Sequence, residues 1–264
     1  MSDVFRYRKG HLPLLVSVPH DGRGLAPGQA ERMTTAGRAL PDTDWHVSRL
    51  YAFAEALGAH VLVAQYSRYV VDLNRPADDA ALYPGQLATG LCPSRTFAGE
   101  PLYEGGGEVG DAEKAERVER YWRPWHDMLR GVVDAIRDEH GYALLWDAHS
   151  IASEVPALFD GRLLDLNIGS NGGRSASPPL VESVMQAAAR TPYSSVLDGR
   201  FRGGYITRHY GQPEDGFHAL QLELSQRTYI DEKSLRYDER RAAKLAQTIE
   251  SMIEAMLEAA KVMQ

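Results

Sequence analysis

The sequence predicts an α/β fold: one three-layer αβα domain built on a mixed, largely parallel central sheet. Three observations carry that prediction. Apolar runs of strand length and without polar alternation, LPLLVSV (12–18), HVLVAQY (60–66) and YALLWD (142–147), suit strands buried on both faces. Stretches with apolar residues at helical spacing are interleaved with these runs, the pattern of strands sandwiched between helical layers. No internal repeat and no Pro/Gly/Ser-rich linker divides the 264 residues, so residues 1–264 read as a single domain.

The elements follow in order. Leu12 to Val18 is the first buried strand and ends in Pro19-His20-Asp21-Gly22. Thr43 or Asp44 is placed to cap a helix with Val47, Leu50, Tyr51, Ala54 and Leu57 on one face, and Gly58 stops it. His60 to Tyr66 and Tyr69 to Leu73 read as two strands joined by Ser67-Arg68. Residues 76–110, punctuated by four prolines and Gly105-Gly106-Gly107, form a loop excursion too long for an ordinary connection, either a cover for an active site or a mobile segment. Asp111 to Glu139 is a long amphipathic helix that Pro124 kinks or splits.

Tyr142 to Asp147 is the next strand and delivers His149 just past its end. Leu163 to Ile168 is a further strand, Pro179 to Arg190 a helix, and Arg200 to Gly216 a loop or a set of short strands. Ala219 to Ser225 alternates, with leucines on one face and Gln221, Glu223 and Ser225 on the other, which predicts a half-exposed strand. Tyr237 to about Met263 is a closing helix.

Composition narrows the function. Twenty-nine Lys and Arg against 36 Asp and Glu give a net charge of −7, which argues against a nucleic-acid binder. No segment has the roughly 18 apolar residues of a membrane span and the start shows no secretory leader, so a cytoplasmic protein is expected, with no membrane partner. The single cysteine, Cys92, rules out a disulfide framework and any zinc site needing two thiolates. A bound metal must therefore be held by histidines and carboxylates. Serine-hydrolase, P-loop and dinucleotide signatures are absent.

In open α/β sheets the ligand crevice lies beyond the carboxyl ends of the strands, so polar residues just after apolar runs are the candidates. Four places qualify: His20, Asn74-Arg75, His149 and Glu223. Two imidazoles and one carboxylate with an open fourth position are the usual makeup of a hydrolytic zinc site. His20 and His149 supply the imidazoles, and Asp42 or Asp44 the carboxylate, with Asp147 placed to orient a ligand histidine. Glu223, on the polar side of its strand, can exchange protons if that side faces a cleft. Arg68, Arg75, Arg200, Arg202 and Arg208 form a group suited to gripping carboxylates, and Gly203-Gly204 permits close backbone approach.

The ordered series SVPHDG, TDWHVSRLY, SRYVVDLNRP, WDAHS, RFRGGYITRHYG and LQLELSQRTYIDE resembles the N-formylglutamate amidohydrolase (N-formylglutamate deformylase) family, over about residues 12–235. The resemblance implies a phosphorylase/hydrolase-like, zinc-exopeptidase-like fold and hydrolysis of N-formyl-L-glutamate to formate and L-glutamate, a step of histidine degradation. It also implies one divalent metal ion, zinc before others, on His20, Asp44 and His149, with Glu223 as the catalytic acid–base. Asn74 and Arg75 would hold a substrate carboxylate, with Arg202 and Arg208 as further candidates. The implied partner is a small anionic substrate; oligomeric state is left open. The alternatives are deacylation of another N-acyl amino acid or peptide, and a metal-free, non-catalytic small-molecule binder.

Overall fold

Buried, largely apolar strands set the architecture. The computed structural model describes residues 4–80 and 89–263. Among the described residues, seven strands form one sheet: β1 (Phe5–Arg8), β2 (Leu14–Val18), β3 (His60–Ala64), β4 (Ala143–Ile151), β5 (Leu166–Gly169), β6 (Ser195–Leu197) and β7 (Phe217–Ser225). Their spatial order is β1-β3-β2-β4-β7-β5-β6. The central four, β3, β2, β4 and β7, are mutually parallel, whereas β1 and β5 pair antiparallel with their inner neighbours and β6 runs parallel to β5. The expected mixed sheet is present. Strands β8 (Ile230–Asp231) and β9 (Arg236–Tyr237) form a separate ribbon.

Helices α1 (Gln29–Arg32), α2 (Thr35–Arg38), α3 (Val47–Leu50), α4 (Phe53–Leu57), α5 (Asp111–Arg117), α6 (Arg123–His140), α7 (Pro178–Ala189), α8 (Tyr205–Tyr210) and α9 (Glu239–Val262) cover both faces. Leu14, Val16, Trp146, Leu220 and Leu222 point to one face, where they pack with residues of α3, α7 and α9. Leu15, Leu145 and Ala219 point to the other, under Trp125, Leu129 and Val133 of α6. On this second face the strands change character along their length. Leu15 gives way to Ser17, Leu145 to Asp147 and His149, and Ala219 to Gln221 and Glu223, all of them buried. Period-two geometry keeps each series on one face, so the polar residues collect at one end of the sheet.

Several elements differ from expectation. The helix predicted from Thr43 is two short pieces, α3 and α4, and neither Thr43 nor Asp44 caps it. His46 adopts left-handed backbone at the start of α3 (φ 63°), and Asp21 supplies the cap by accepting from the His46 and Ser48 amides at 3.0 Å each. Tyr69 to Leu73 is not a strand. Its carbonyls are taken by side chains instead of a ladder: Gln29 and Arg117 donate to Tyr69, Arg117 to Val70, and His126 to Leu73.

The helical stretch expected over Asp111–Glu139 is divided into α5 and α6, with Pro124 in the first turn of α6. A π-helical turn over Val118–Trp122 precedes it, in which the Arg123 amide donates to the Val118 carbonyl five residues back. Arg200 to Gly216 contains helix α8, and β1 was unmarked by any periodicity. Strand β7 is buried on both faces, with Glu223 only 7% exposed, which overturns the half-exposed reading. The excursion at 76–110 is in part core: Leu91, Cys92, Leu102, Tyr103 and Val109 are buried. Its residues 81–88 lie outside the described residues. Among the described residues no helix is long and apolar enough to cross a membrane.

Candidate active site

The carboxyl ends of β2, β4 and β7 open on a cavity of about 110 Å³ that contains His20, Asp44, His149 and Glu223 in its walls. His20 follows β2. His149 lies within β4, and the β4–β7 register sets it directly opposite Glu223, with Asp147 opposite Gln221. Asp44 sits in the turn before α3, where its amide donates to the His20 carbonyl at 3.1 Å. One ligating atom each from His20, Asp44 and His149 lies within 4.8 Å of the others, and all three residues are buried.

Both imidazoles are presented the same way. His20 Nε2 stands 2.8 Å from Asp72 Oδ1, and His149 Nε2 stands 3.0 Å from Asp147 Oδ2. A carboxylate at Nε2 holds the proton there and turns the Nδ1 lone pair inward. His149 Nδ1 is 3.0 Å from Asp44 Oδ2; His20 Nδ1 is 3.8 Å from the same oxygen and has no hydrogen-bond partner although buried. A buried imidazole nitrogen without a partner is costly unless something occupies its lone pair. Two inward nitrogens and one carboxylate fit a divalent cation of the zinc type. The structure brings Asp44 to this point and not Asp42, whose Oδ2 instead accepts from the Tyr69 hydroxyl at 2.6 Å and the Phe97 amide at 2.8 Å.

Electrostatics agree with the geometry. Burial pushes Asp72 up, but Arg68 and His20 outweigh it and hold the carboxyl well below the ordinary range. Burial and the Arg68 guanidinium lower His20 and keep its Nδ1 unprotonated. For His149 burial acts downward, yet Asp147 and Asp44 outweigh it and hold the imidazole well above its ordinary range. Burial pushes Glu223 up to about 8. The Gln221 amide donates to Glu223 Oε2 at 3.2 Å and fixes its direction.

Arg68 lies at the centre of the polar network, bonded to Asp72 Oδ2 at 2.8 Å, 3.6 Å from Asp44 Oδ1, and over the Phe97 ring at 4.9 Å. Arg75 and Arg200 also line the cavity; Arg202 and Arg208 do not, and border an adjoining one that Arg200 shares. Asn74 lines the cavity with its amide engaged inside the protein. Its Oδ1 accepts from the Ile206 amide at 2.8 Å, and its Nδ2 donates toward Asp147 Oδ2 at 3.4 Å, beside His149 Nε2. The close approach foreseen at Gly203-Gly204 is made to Asn74: a Cβ on Gly204 would stand 2.4 Å from Asn74 Nδ2.

Sequence reasoning missed Asp72 as the partner of His20, Gln221 as the partner of Glu223, and Asp21 as the anchor of α3. Only Gln221 left a signal, its period-two spacing from Glu223. Phe97 and Thr89, both lining the cavity, come from the long excursion and left none.

The family model described as N-formylglutamate amidohydrolase matches residues 12–230. The chain belongs to the N-formylglutamate amidohydrolase family. It is an amidohydrolase by that membership. It is 47% identical over 259 residues to the N-formylglutamate deformylase of Pseudomonas putida, covering 97% of both chains. It is 51% identical over 235 residues to the Pseudomonas aeruginosa N-formylglutamate deformylase, covering 89% of this chain and 88% of that one. The crystal structure of N-formylglutamate amidohydrolase from Ralstonia eutropha JMP134 superposes with a TM-score of 0.81 at 24% identity, covering 96% of this chain and 97% of that one. That likeness confirms the α/β fold.

Proposed function

We propose that this chain is a metal-dependent amidohydrolase that converts N-formyl-L-glutamate to formate and L-glutamate, a step of histidine degradation. The observation that carries the metal dependence is the buried, unpartnered Nδ1 of His20, facing Asp44 and the Nδ1 of His149. The substrate follows from the two deformylases at 47% and 51% identity. His20, Asp44 and His149 hold the ion, with zinc favoured by two nitrogens and one carboxylate. Bound there, a divalent cation supplies polarisation of the formyl carbonyl, a lowered pKa for the attacking water, and a positive charge that draws Glu223 toward its ionised form.

The chain's own residues do the rest. Glu223 takes a proton from the attacking water, and the Gln221 amide keeps its carboxylate turned to that task. The protonated Glu223 then returns the proton to the amide nitrogen as the C–N bond breaks, releasing formate and the free amine of glutamate. Arg75 and Arg200 hold the glutamate carboxylates, each charge-assisted contact contributing about 1.5–3 kcal/mol. Arg68 is already bonded to Asp72, so it sets the charge of the ligand cage. Asn74 fixes the turn that carries Arg75 against β4 through Asp147.

The test is formate release from N-formyl-L-glutamate by the zinc-loaded protein, with and without a chelator, beside N-acetyl- and N-succinyl-glutamate. Release that the chelator abolishes is the expected result. Chelator-resistant hydrolysis would overturn the metal reading, and a preference for the acetyl or succinyl compound the substrate reading.

A further inference from the structure

Beside the reacting cavity lies a second and larger one, about 400 Å³, whose wall contains Arg174, Arg200, Arg202 and Arg208 together with Asn171. Among its described lining residues there is no aspartate or glutamate. The nearby Asp198 is committed to the Ser170 amide and hydroxyl. Arg174 donates to the Asn171 side chain, a neutral acceptor, and the Nε–H groups of Arg200 and Arg208 donate to the carbonyls of Leu158 and Gly203. Two loops build the wall, and the Asn171 amide ties them together by donating to the Arg202 carbonyl at 2.7 Å.

Four guanidinium groups around one recess repel each other, and a chain of net charge −7 has no general need for such a concentration. The arrangement is favourable when an anion enters. Arg200 lines both cavities, so an anion moving from the outer to the inner one stays in contact with positive charge throughout. The inner cavity has its own cations, Arg68 and Arg75.

We infer that the four-arginine cavity is an anion-recruiting vestibule, which captures a dicarboxylate from solvent and passes it by way of Arg200 to the reacting cavity. This rests on the proposed reaction, whose substrate carries two carboxylates. Arg174, Arg202 and Arg208, which line the outer cavity alone, act through charge at long range and make no contact with the reacting complex. Their contribution therefore belongs to kcat/KM and not to kcat. Any cation of similar reach can provide it, whereas a bidentate carboxylate site would need the arginine fork.

Arg174, which lines the outer cavity alone, is the position to vary. In the zinc-loaded protein at low salt, Arg174→Gln is expected to lower kcat/KM for N-formyl-L-glutamate about threefold and Arg174→Glu about eightfold, from a dicarboxylate some 10 Å from the changed charge. kcat should hold, Arg174→Lys should match wild type, and at physiological ionic strength the deficits should shrink toward about 1.5-fold for Arg174→Gln and about twofold for Arg174→Glu. The same series at Arg202 should show the same dependence of kcat/KM on charge. A kcat/KM unmoved by Arg174→Glu at low salt would overturn the proposal. So would a loss that persists at high salt, or one that Arg174→Lys shares with Arg174→Gln. A parallel arm follows glutarate binding by calorimetry, which needs no turnover, and Arg174→Glu should weaken it at low salt. If wild type released no formate, the substrate reading would fail while the glutarate arm still decided the vestibule.

Discussion

Replacing Asp72 by asparagine distinguishes a prearranged metal centre from an accidental cluster of polar residues. The change is nearly isosteric and opens no cavity. Asp72 Oδ1 accepts from His20 Nε2 at 2.8 Å and from the Asn74 amide at 2.9 Å, while Oδ2 accepts from Arg68 at 2.8 Å. All three partners are donors. An asparagine offers one acceptor and one NH₂ group, so in either orientation its NH₂ meets a donor. Turned to keep His20, it abandons Arg68; turned to keep Arg68, it frees the His20 ring.

Breaking a buried ion pair on one side costs about 3–5 kcal/mol. A chain of this size loses roughly 2–4 °C in Tm per kcal/mol, so a drop of roughly 10 °C is expected in thermal unfolding of the metal-free protein. A carboxylate behind a ligand histidine is typically worth about 10–100-fold in metal affinity. Competition with a chromogenic chelator, on a variant shown to be folded by near-ultraviolet circular dichroism, measures that affinity. A folded Asp72→Asn protein binding zinc within twofold of wild type would refute the claim that Asp72 aims His20 at an ion.

Three further outcomes are expected. Glu223→Gln keeps the zinc content of wild type and lowers turnover by about 10²–10⁴, the range of a positioned acid–base; formate release near the wild-type rate removes Glu223 from that role. In metal-stripped protein, Glu223 sits at about 8 against an ordinary 4.5, so the folded chain holds the extra proton between these values. Its contribution to stability is then full below the lower value and lost as pH rises through the upper one. The difference in Tm between wild type and Glu223→Gln should accordingly drift against wild type from pH 5 to 8, and a flat difference contradicts the burial argument. Arg75→Ala raises KM for N-formyl-L-glutamate about 10–100-fold, the equivalent of one charge-assisted contact, with a smaller effect on kcat; an unchanged KM means that the carboxylates are held elsewhere.

The sheet was legible because fully buried strands announce themselves as unbroken apolar runs, and β2, β3 and β4 are such runs. What escaped was local. The Tyr69 to Leu73 segment has the composition of a strand, but Gln29, Arg117 and His126 satisfy its carbonyls from distant parts of the chain. No local pattern encodes partners 40 or more residues away. The same holds for α8, whose six residues follow a glycine pair and whose packing against Asn74 is a tertiary event. Within the site, His20, His149 and Glu223 were visible as polar residues at strand ends. The residues alone left Asp42 and Asp44 open; the family resemblance favoured Asp44, and the fold supplies the reason by turning Asp42 to Tyr69. The alternation in β7 marked Glu223 as facing away from the leucines, but whether it faced water or a cleft depended on the neighbours of that strand.

The bond from the Asp44 amide to the His20 carbonyl, together with the grip of Asp21 on His46 and Ser48, fastens the segments that carry His20 and Asp44 directly to each other. The chain between them leaves and returns to one place, and its tip can change without moving that junction. Gly28, at the exposed tip of that loop, has open space around the position of a side chain. Residues inserted there lengthen a circuit that is already closed, at an entropic cost of about 0.6 kcal/mol per doubling, provided Gln29 keeps its bonds to the Tyr69 carbonyl and the Tyr103 hydroxyl. The centre can thus keep its shape while the loop varies in size, which makes this the place to graft a reporter peptide onto the enzyme or to look for length polymorphism among its relatives.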